Sequence, residues 1–215
     1  MKIDILSHFG SDLMVANTAR VSYAKEASNY TQEQNAKLIN FLVTHKHTSV
    51  FRHPQLQFRI ECPIYVERQL HKHQVGVSVN SVSGRYVDFS DSYYMIPLGN
   101  WRKQSKYSKQ GSDGLVEDQE TCDAIQDTVI RQCKQSYEHL LNLGVSKEQA
   151  RSILPLSLKT TFIWTGSFLA FIHMCNLRLK EDTQKETRDV VEKMLDLVKN
   201  IEGNPFKETI KAFKL

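Results

Sequence analysis

Residues 54–61 constrain the architecture more than any other stretch. Leu56, Phe58 and Ile60 alternate with Gln55, Gln57, Arg59 and Glu61. A period of two sends one set to each face of a β-strand, so this segment reads as a half-buried strand whose apolar side must be covered. Pro63 follows at once. Its missing N–H is harmless in the first turn of a helix, and a helix over 64–73 is expected. On that helix Gln69, Lys72 and His73 share a face at three- and four-residue spacing.

The rest of the chain supplies the cover. Residues 2–6 read as a short edge strand, and Asp12 to Ala19 as a helix. Thr31 with Gln34 forms a capping box opening a helix, along which Leu38, Ile39, Phe41 and Leu42 make an apolar stripe ending near His45. Val75 to Val82 mixes Gly, Ser and Asn and reads as irregular. Residues 99–119 carry few large apolar side chains and read as a mobile loop or insertion. A long amphipathic helix fits 120–143, with Gly144 as its stop. Ser146 and Gln149 cap a shorter helix that Pro155 ends. Another helix is expected from Thr165 or Gly166 to Leu179, and a last one over 183–200. With 215 residues and no internal repeat, one domain spanning 1–215 is expected. Its class is mixed α/β (α+β).

Several function classes lose support on composition. The formal net charge of +4 is mild, which suits a small anionic ligand better than a nucleic acid. Lys and Arg of 99–109, with Trp101 and Tyr107, could meet a phosphate backbone, but a solvated loop is the simpler reading. Cys62, Cys122, Cys133 and Cys175 form no C-x-x-C pair. No apolar run is long enough to span a bilayer, and Met1–Leu6 does not form a signal peptide, so no membrane and a reduced, cytoplasmic setting are expected. His45, His47, His53, His71 and His73 cluster in sequence, yet His71 and His73 lack the i, i+4 spacing of a helical zinc site; no metal is expected.

The densest chemistry lies in Arg68-Gln69-Leu70-His71-Lys72-His73-Gln74 and in Ser83-Gly84-Arg85-Tyr86. Lys and Arg bring charge, the Arg fork fits phosphate, and Ser with a Gly backbone N–H can close round phosphate oxygens. Arg151 and Arg178 sit in apolar company, where a cation invites an anionic partner. No G-x-S-x-G elbow surrounds Ser83, and no P-loop or G-x-G-x-x-G includes Gly84. The composition is one for gripping a nucleotide, not for covalent attack.

These segments together resemble the flavin-dependent thymidylate synthase family. Its signature, Arg-His-Arg, seven residues, Ser, then Gly-Arg-Tyr, is matched by Lys72-His73-Gln74, eight residues, then Ser83-Gly84-Arg85-Tyr86. Ala19-Arg20-Val21-Ser22, His45-Lys46-His47-Thr48-Ser49, Leu154-Pro155-Leu156, Trp164-Thr165-Gly166-Ser167, Asn176-Leu177-Arg178 and Gln184-Lys185-Glu186 follow in the family's order. The resemblance implies an antiparallel sheet with a helical bundle, assembled as a homotetramer whose active sites draw on several chains. It implies FAD as cofactor, held by His47, Ser49, Lys72, His73, Gln74, Ser81, Ser167 and His173. It implies dUMP held by Gln69, Lys72, Ser83, Gly84, Arg85, Arg151 and Arg178, with Ser83 and Arg178 as the catalytic pair and Arg178 favouring negative charge on the pyrimidine. Methylenetetrahydrofolate would give the carbon and NADPH would recharge the flavin, because no side chain can donate hydride.

The chain departs from the pattern in places. Lys72 and Gln74 stand where the family has Arg, Ser81 where it has Glu, and Leu169 where an Arg is frequent. Three outcomes stay open on sequence: thymidylate synthesis, hydroxymethylation of dUMP on the same scaffold, or nucleotide and flavin binding without turnover.

Overall fold

The computed structural model describes residues 1–87 and 92–215. Its centre is a four-stranded antiparallel sheet in the order β1-β2-β6-β3, formed by β1 (Lys2–Phe9), β2 (Gln55–Pro63), β6 (Lys159–Ser167) and β3 (Val77–Ser81). β2 and β3 run parallel on either side of β6, joined by α3 (Ile64–Leu70). The register explains the alternation in the sequence. Leu56 pairs with Gly166, Phe58 with Trp164 and Ile60 with Phe162, so all point to one buried face. Gln57 and Glu61 lie on the other side, where Gln57 Nε2 donates to Thr165 Oγ1 at 3.0 Å and Lys159 Nζ donates to Glu61 Oε1 at 3.3 Å.

Gly166 is a packing requirement. A Cβ there would lie 2.5 Å from Cη2 of Trp164, whose ring folds over the glycine from two residues away on the same face. That buried face packs against α6 (Phe168–Arg178) and α7 (Lys185–Lys199), with Phe168, Phe171, Met174, Val190, Met194 and Val198 in one core. A second apolar cluster joins α1 (Asp12–Arg20) and α2 (Gln32–Thr44) to the 3-10 turn Ser49–Arg52 and to Leu169. Leu169 is thus a core residue. α8 (Lys207–Ala212) is capped from far away, Asp12 accepting from the N–H groups of Glu208 and Thr209 at 2.7 and 3.0 Å.

Four expectations change. The strand β6 was not foreseen, and the helix expected from Thr165 begins only at Phe168. Val77–Ser81 is an edge strand and not irregular chain, because Val77 and Val79 turn to the core beside Gly166 and Trp164. α3 stops at Leu70, with Pro63 as its N-cap, so Lys72 and His73 lie in the following turn and share no helix face with Gln69. The segment 99–119 contains a hairpin, β4 (Arg102–Gln104) with β5 (Ser112–Leu115). Gln119 anchors it by accepting from the Trp101 N–H at 2.9 Å and donating to the Trp101 carbonyl at 2.8 Å.

The capping box at Thr31 and Gln34 is present. So is the long helix, α4 (Gln119–Asn142), with Gly144 at φ +84° beyond its end. α5 (Lys147–Ala150) is short and continues into a 3-10 turn over Arg151–Ile153. No helix among the described residues is long and apolar enough to cross a membrane.

Candidate active site

The turn after α3 runs back along α6 and builds the first half of the site. At its far end the Ser167 N–H donates to the Gly76 carbonyl at 2.9 Å. Gly76 has φ +74°, and a Cβ on it would lie 2.9 Å from Ser167 Oγ, so both the backbone angle and the close approach call for glycine. At the near end Arg178 Nε donates to His73 Nε2 at 3.0 Å, and an Arg178 terminal nitrogen donates to the Gln69 carbonyl at 2.9 Å. A cation placed on the last carbonyls of α3 is favourable in itself. A guanidinium has five N–H donors and two are used here, so the rest stay available to a ligand.

His73 must accept at Nε2, since Arg178 has only donors. It is therefore neutral, with its proton on Nδ1. Burial first, then the charges of Arg178 and His173, hold its pKa below the usual 6.5. Burial also lowers the Arg178 guanidinium from 12.5, without discharging it at neutral pH.

Arg178 and Gln69 line an open cleft of about 410 Å³ with Leu177, Thr183, Gln184 and, from the hairpin, Gln110. Gln69 Nε2 donates to Gln184 Oε1, and Gln184 Nε2 donates to Glu186 Oε2 at 3.1 Å. The other oxygen of Glu186 accepts from Arg102 at 2.5 Å. Glu186 is only 3% exposed. Burial alone would raise its pKa, but the Arg102 hydrogen bond and charge, with help from its own backbone N–H and Gln184, bring the net shift below 4.5.

The other expected substrate residues lie elsewhere. Glu67, Ser81, Gly84, Arg151 and Thr160 line a separate cavity of about 220 Å³. There Ser81 Oγ donates to Glu67 Oε1 at 2.8 Å. Ser83 Oγ accepts from the Arg85 N–H at 3.3 Å, Arg85 Nε stands 3.6 Å from Glu148 Oε2, and Arg151 Nε donates to the Glu148 carbonyl at 3.4 Å. α3 separates the two cavities. Glu67 and Gln69 are two residues apart, hence about 200° apart around the helix.

Of the expected flavin residues, Ser167 is buried and caps α6, accepting from the Ala170 N–H at 3.2 Å. Lys72, Gln74 and His173 are exposed along the turn and α6. His47 and Ser49 are exposed beside the second apolar cluster, with the His47 ring stacked on Phe41 at 6.2 Å. Ser81 lines the cavity that holds Gly84 and Arg151. Glu67, Arg102, Gln184 and Glu186 had no role on sequence. The bonds that join Glu67 to Ser81, Arg102 to Glu186 and Gln69 to Gln184 span 14, 84 and 115 residues. No cluster of His, Cys, Asp and Glu fit for a metal exists among the described residues.

The family described as "Thymidylate synthase complementing protein" matches residues 4–202. A flavin-dependent thymidylate synthase of Thermus thermophilus is 34% identical over 197 residues, covering 92% of this chain and 71% of that one. Another, of Kosmotoga olearia, is 37% identical over 186 residues, covering 86% and 79%. Among solved structures, the UMP/dUMP methylase PolB of Streptomyces cacaoi bound with 5-Br dUMP superposes with a TM-score of 0.88 at 25% identity, covering 99% of this chain and 94% of that one. The sheet, the run of motifs and these likenesses agree: the chain belongs to the thymidylate synthase complementing protein family, that of the flavin-dependent thymidylate synthases.

Proposed function

We propose that the chain moves a one-carbon unit from methylenetetrahydrofolate to C5 of dUMP, giving dTMP, with FAD as cofactor and NADPH as its reductant. The observation that carries this reading is Arg178, fixed by His73 and by the Gln69 carbonyl with donors to spare over an open cleft. Held this way, the guanidinium steadies negative charge on a pyrimidine carbonyl without reorganising at the moment of reaction. Gln69 orients the ring edge, and Arg85 and Arg151 suit a 5′-phosphate. The flavin, when bound, supplies the hydride. What supports a flavin beside α6 is the donor set of Lys72, His73, Gln74, Ser167 and His173.

The two halves of the dUMP set lie on opposite sides of α3, so one chain does not enclose the nucleotide. A second copy facing the first would bring Arg85 and Arg151 to Arg178. α4 supports such an assembly. Of its residues only Tyr137 is buried, while Ile125 and Val129 are 59% and 45% exposed. That apolar row is a surface for other subunits of a homotetramer.

The test is a deuteride-transfer assay on the FAD-loaded protein with methylenetetrahydrofolate, read by product mass. The structural relative is a UMP/dUMP methylase, so both nucleotides are offered. Deuterated dTMP from dUMP supports the proposal. A hydroxymethyl product or no product overturns it.

A further inference from the structure

The chain of bonds from Gln69 to Arg102 has a direction, and that direction does not depend on how the amides are drawn. Glu186 is ionised and can only accept. The group of Gln184 facing it must therefore be the NH₂. That turns Gln184 Oε1 toward Gln69, so Gln69 in turn must present its NH₂ to Gln184. Gln69 Oε1 is left facing away from Gln184, and it accepts no hydrogen bond from the described residues. Arg102, carried by the hairpin, holds the origin of the chain in place.

We propose that Arg102, Glu186 and Gln184 are positioning residues that fix the polarity of the Gln69 amide, so that Gln69 offers a carbonyl acceptor, next to the Arg178 donors, and selects a pyrimidine whose ring nitrogen carries a proton between two carbonyls. This rests on the reading of the cleft as the dUMP site. Uracil offers acceptor, donor, acceptor along that edge. Cytosine offers a bare ring nitrogen and an amino group, which would oppose the Gln69 oxygen and the Arg178 donors. The hairpin is in this view a specificity element. It reaches the base through three side chains and touches the cleft directly only by Gln110.

The experiment measures the dissociation constants of dUMP and dCMP by calorimetry on the FAD-loaded protein, and reads their ratio. General loosening of the site weakens both ligands and leaves the ratio alone, whereas lost polarity changes it. Glu186→Gln can face either way, and the preference for dUMP should fall about tenfold, one hydrogen bond's worth. The double variant Gln184→Glu/Glu186→Gln restores an obligate acceptor opposite Gln69 and should recover the preference, although the buried Arg102–Glu186 ion pair is still gone. Should Glu186→Gln not fold, Gln184→Leu, at a half-buried position, breaks the same chain and should lower the ratio equally. An unchanged ratio in Glu186→Gln or Gln184→Leu, with Gln69→Ala abolishing it, overturns the relay and spares the site. No preference for dUMP in the unaltered protein, or a ratio indifferent to Gln69→Ala, overturns the site reading and the relay with it.

Discussion

Arg178→Lys tests the site most sharply, because it keeps the charge and removes only the fork. Two donors of the guanidinium are committed, Nε to His73 at 3.0 Å and a terminal nitrogen to the Gln69 carbonyl at 2.9 Å. They splint the group, and the unused donors reach the cleft from a fixed position. A lysine ammonium has all its donors on one atom. It can sit at the Gln69 carbonyl or at the ligand, but it cannot bridge His73, the carbonyl and a pyrimidine oxygen together. The loss is one charge-assisted hydrogen bond, about 1.5–3 kcal/mol. At about 1.36 kcal/mol per decade that is roughly a 10- to 150-fold fall in kcat/KM for dUMP. Arg178→Ala removes the charge as well, and kcat should fall about 10²- to 10³-fold, the range for losing a preorganised donor.

Steady-state oxidation of NADPH with varied dUMP gives both numbers. NMR titration of His73 gives an independent check. In the unaltered protein its midpoint lies below 6.5 through burial, Arg178 and His173. Arg178→Ala deletes one cation, so the midpoint rises, yet stays below 6.5 because burial persists. The sign for stability follows. A depressed histidine pKa means that the unfolded chain takes up a proton first, so stability is lost as pH falls from 6.5 to the folded midpoint, with no further loss below it. Below that midpoint His73 Nε2 no longer accepts from Arg178, and kcat/KM should drop. Should Arg178→Lys keep full kcat/KM, or should the His73 midpoint ignore Arg178→Ala, the splint is not what positions the charge.

Two further substitutions probe the frame and the flavin side. Gly166→Ala would push a Cβ to 2.5 Å from Cη2 and 2.8 Å from Cζ2 of the buried Trp164 ring. Urea unfolding should show a loss of about 1–3 kcal/mol with an unchanged m-value, and a neutral result would mean that the ring moves freely. Gln74→Arg restores a cation at an exposed position and should tighten FAD a few-fold, about 0.5–1 kcal/mol, in a flavin fluorescence titration. Unchanged affinity would show that the phosphates are held without position 74.

The parts of the fold that were legible in sequence are those with a local cause. The strict alternation of Gln55–Glu61, the capping box at Thr31 and Gln34, and Gly144 beyond the long helix each depend on neighbours within one turn or one strand. β6 escaped because its pattern is masked. Ile163 places an apolar residue on the outer face, and Gly166 leaves a gap on the inner face that only Trp164 explains. Val77–Ser81 looked irregular because an edge strand needs apolar residues on one face alone, and there Val77 and Val79 suffice. α3 ends at Leu70, three residues short of the expected helix, yet His73 still meets Arg178 from the turn. In the candidate site, Arg178, His73 and Gln69, which the fold brings together, all lie in motifs readable from sequence. The Arg102–Glu186 pair was not, because no local rule joins residues 84 apart.

The altered position at Ser81 shows how a motif can change while its chemistry survives. The family resemblance places a carboxylate there, and a serine removes it from the strand. In the folded chain Ser81 Oγ donates to Glu67 Oε1 at 2.8 Å, so a carboxylate returns to the same cavity from α3. His71 Nε2 stands 3.7 Å from the same oxygen, beyond hydrogen-bond reach. The cavity containing Gly84 and Arg151 therefore keeps an acid opposite its arginine although the signature has lost one. Among the described residues Lys72 and Gln74 have no such side-chain partner, being exposed on the turn. The departures from the family pattern thus divide by location. The one at Ser81, in the proposed nucleotide half of the site, is compensated through space. Those at the proposed flavin edge are not, so weaker flavin affinity is the property in which this chain should differ from its relatives.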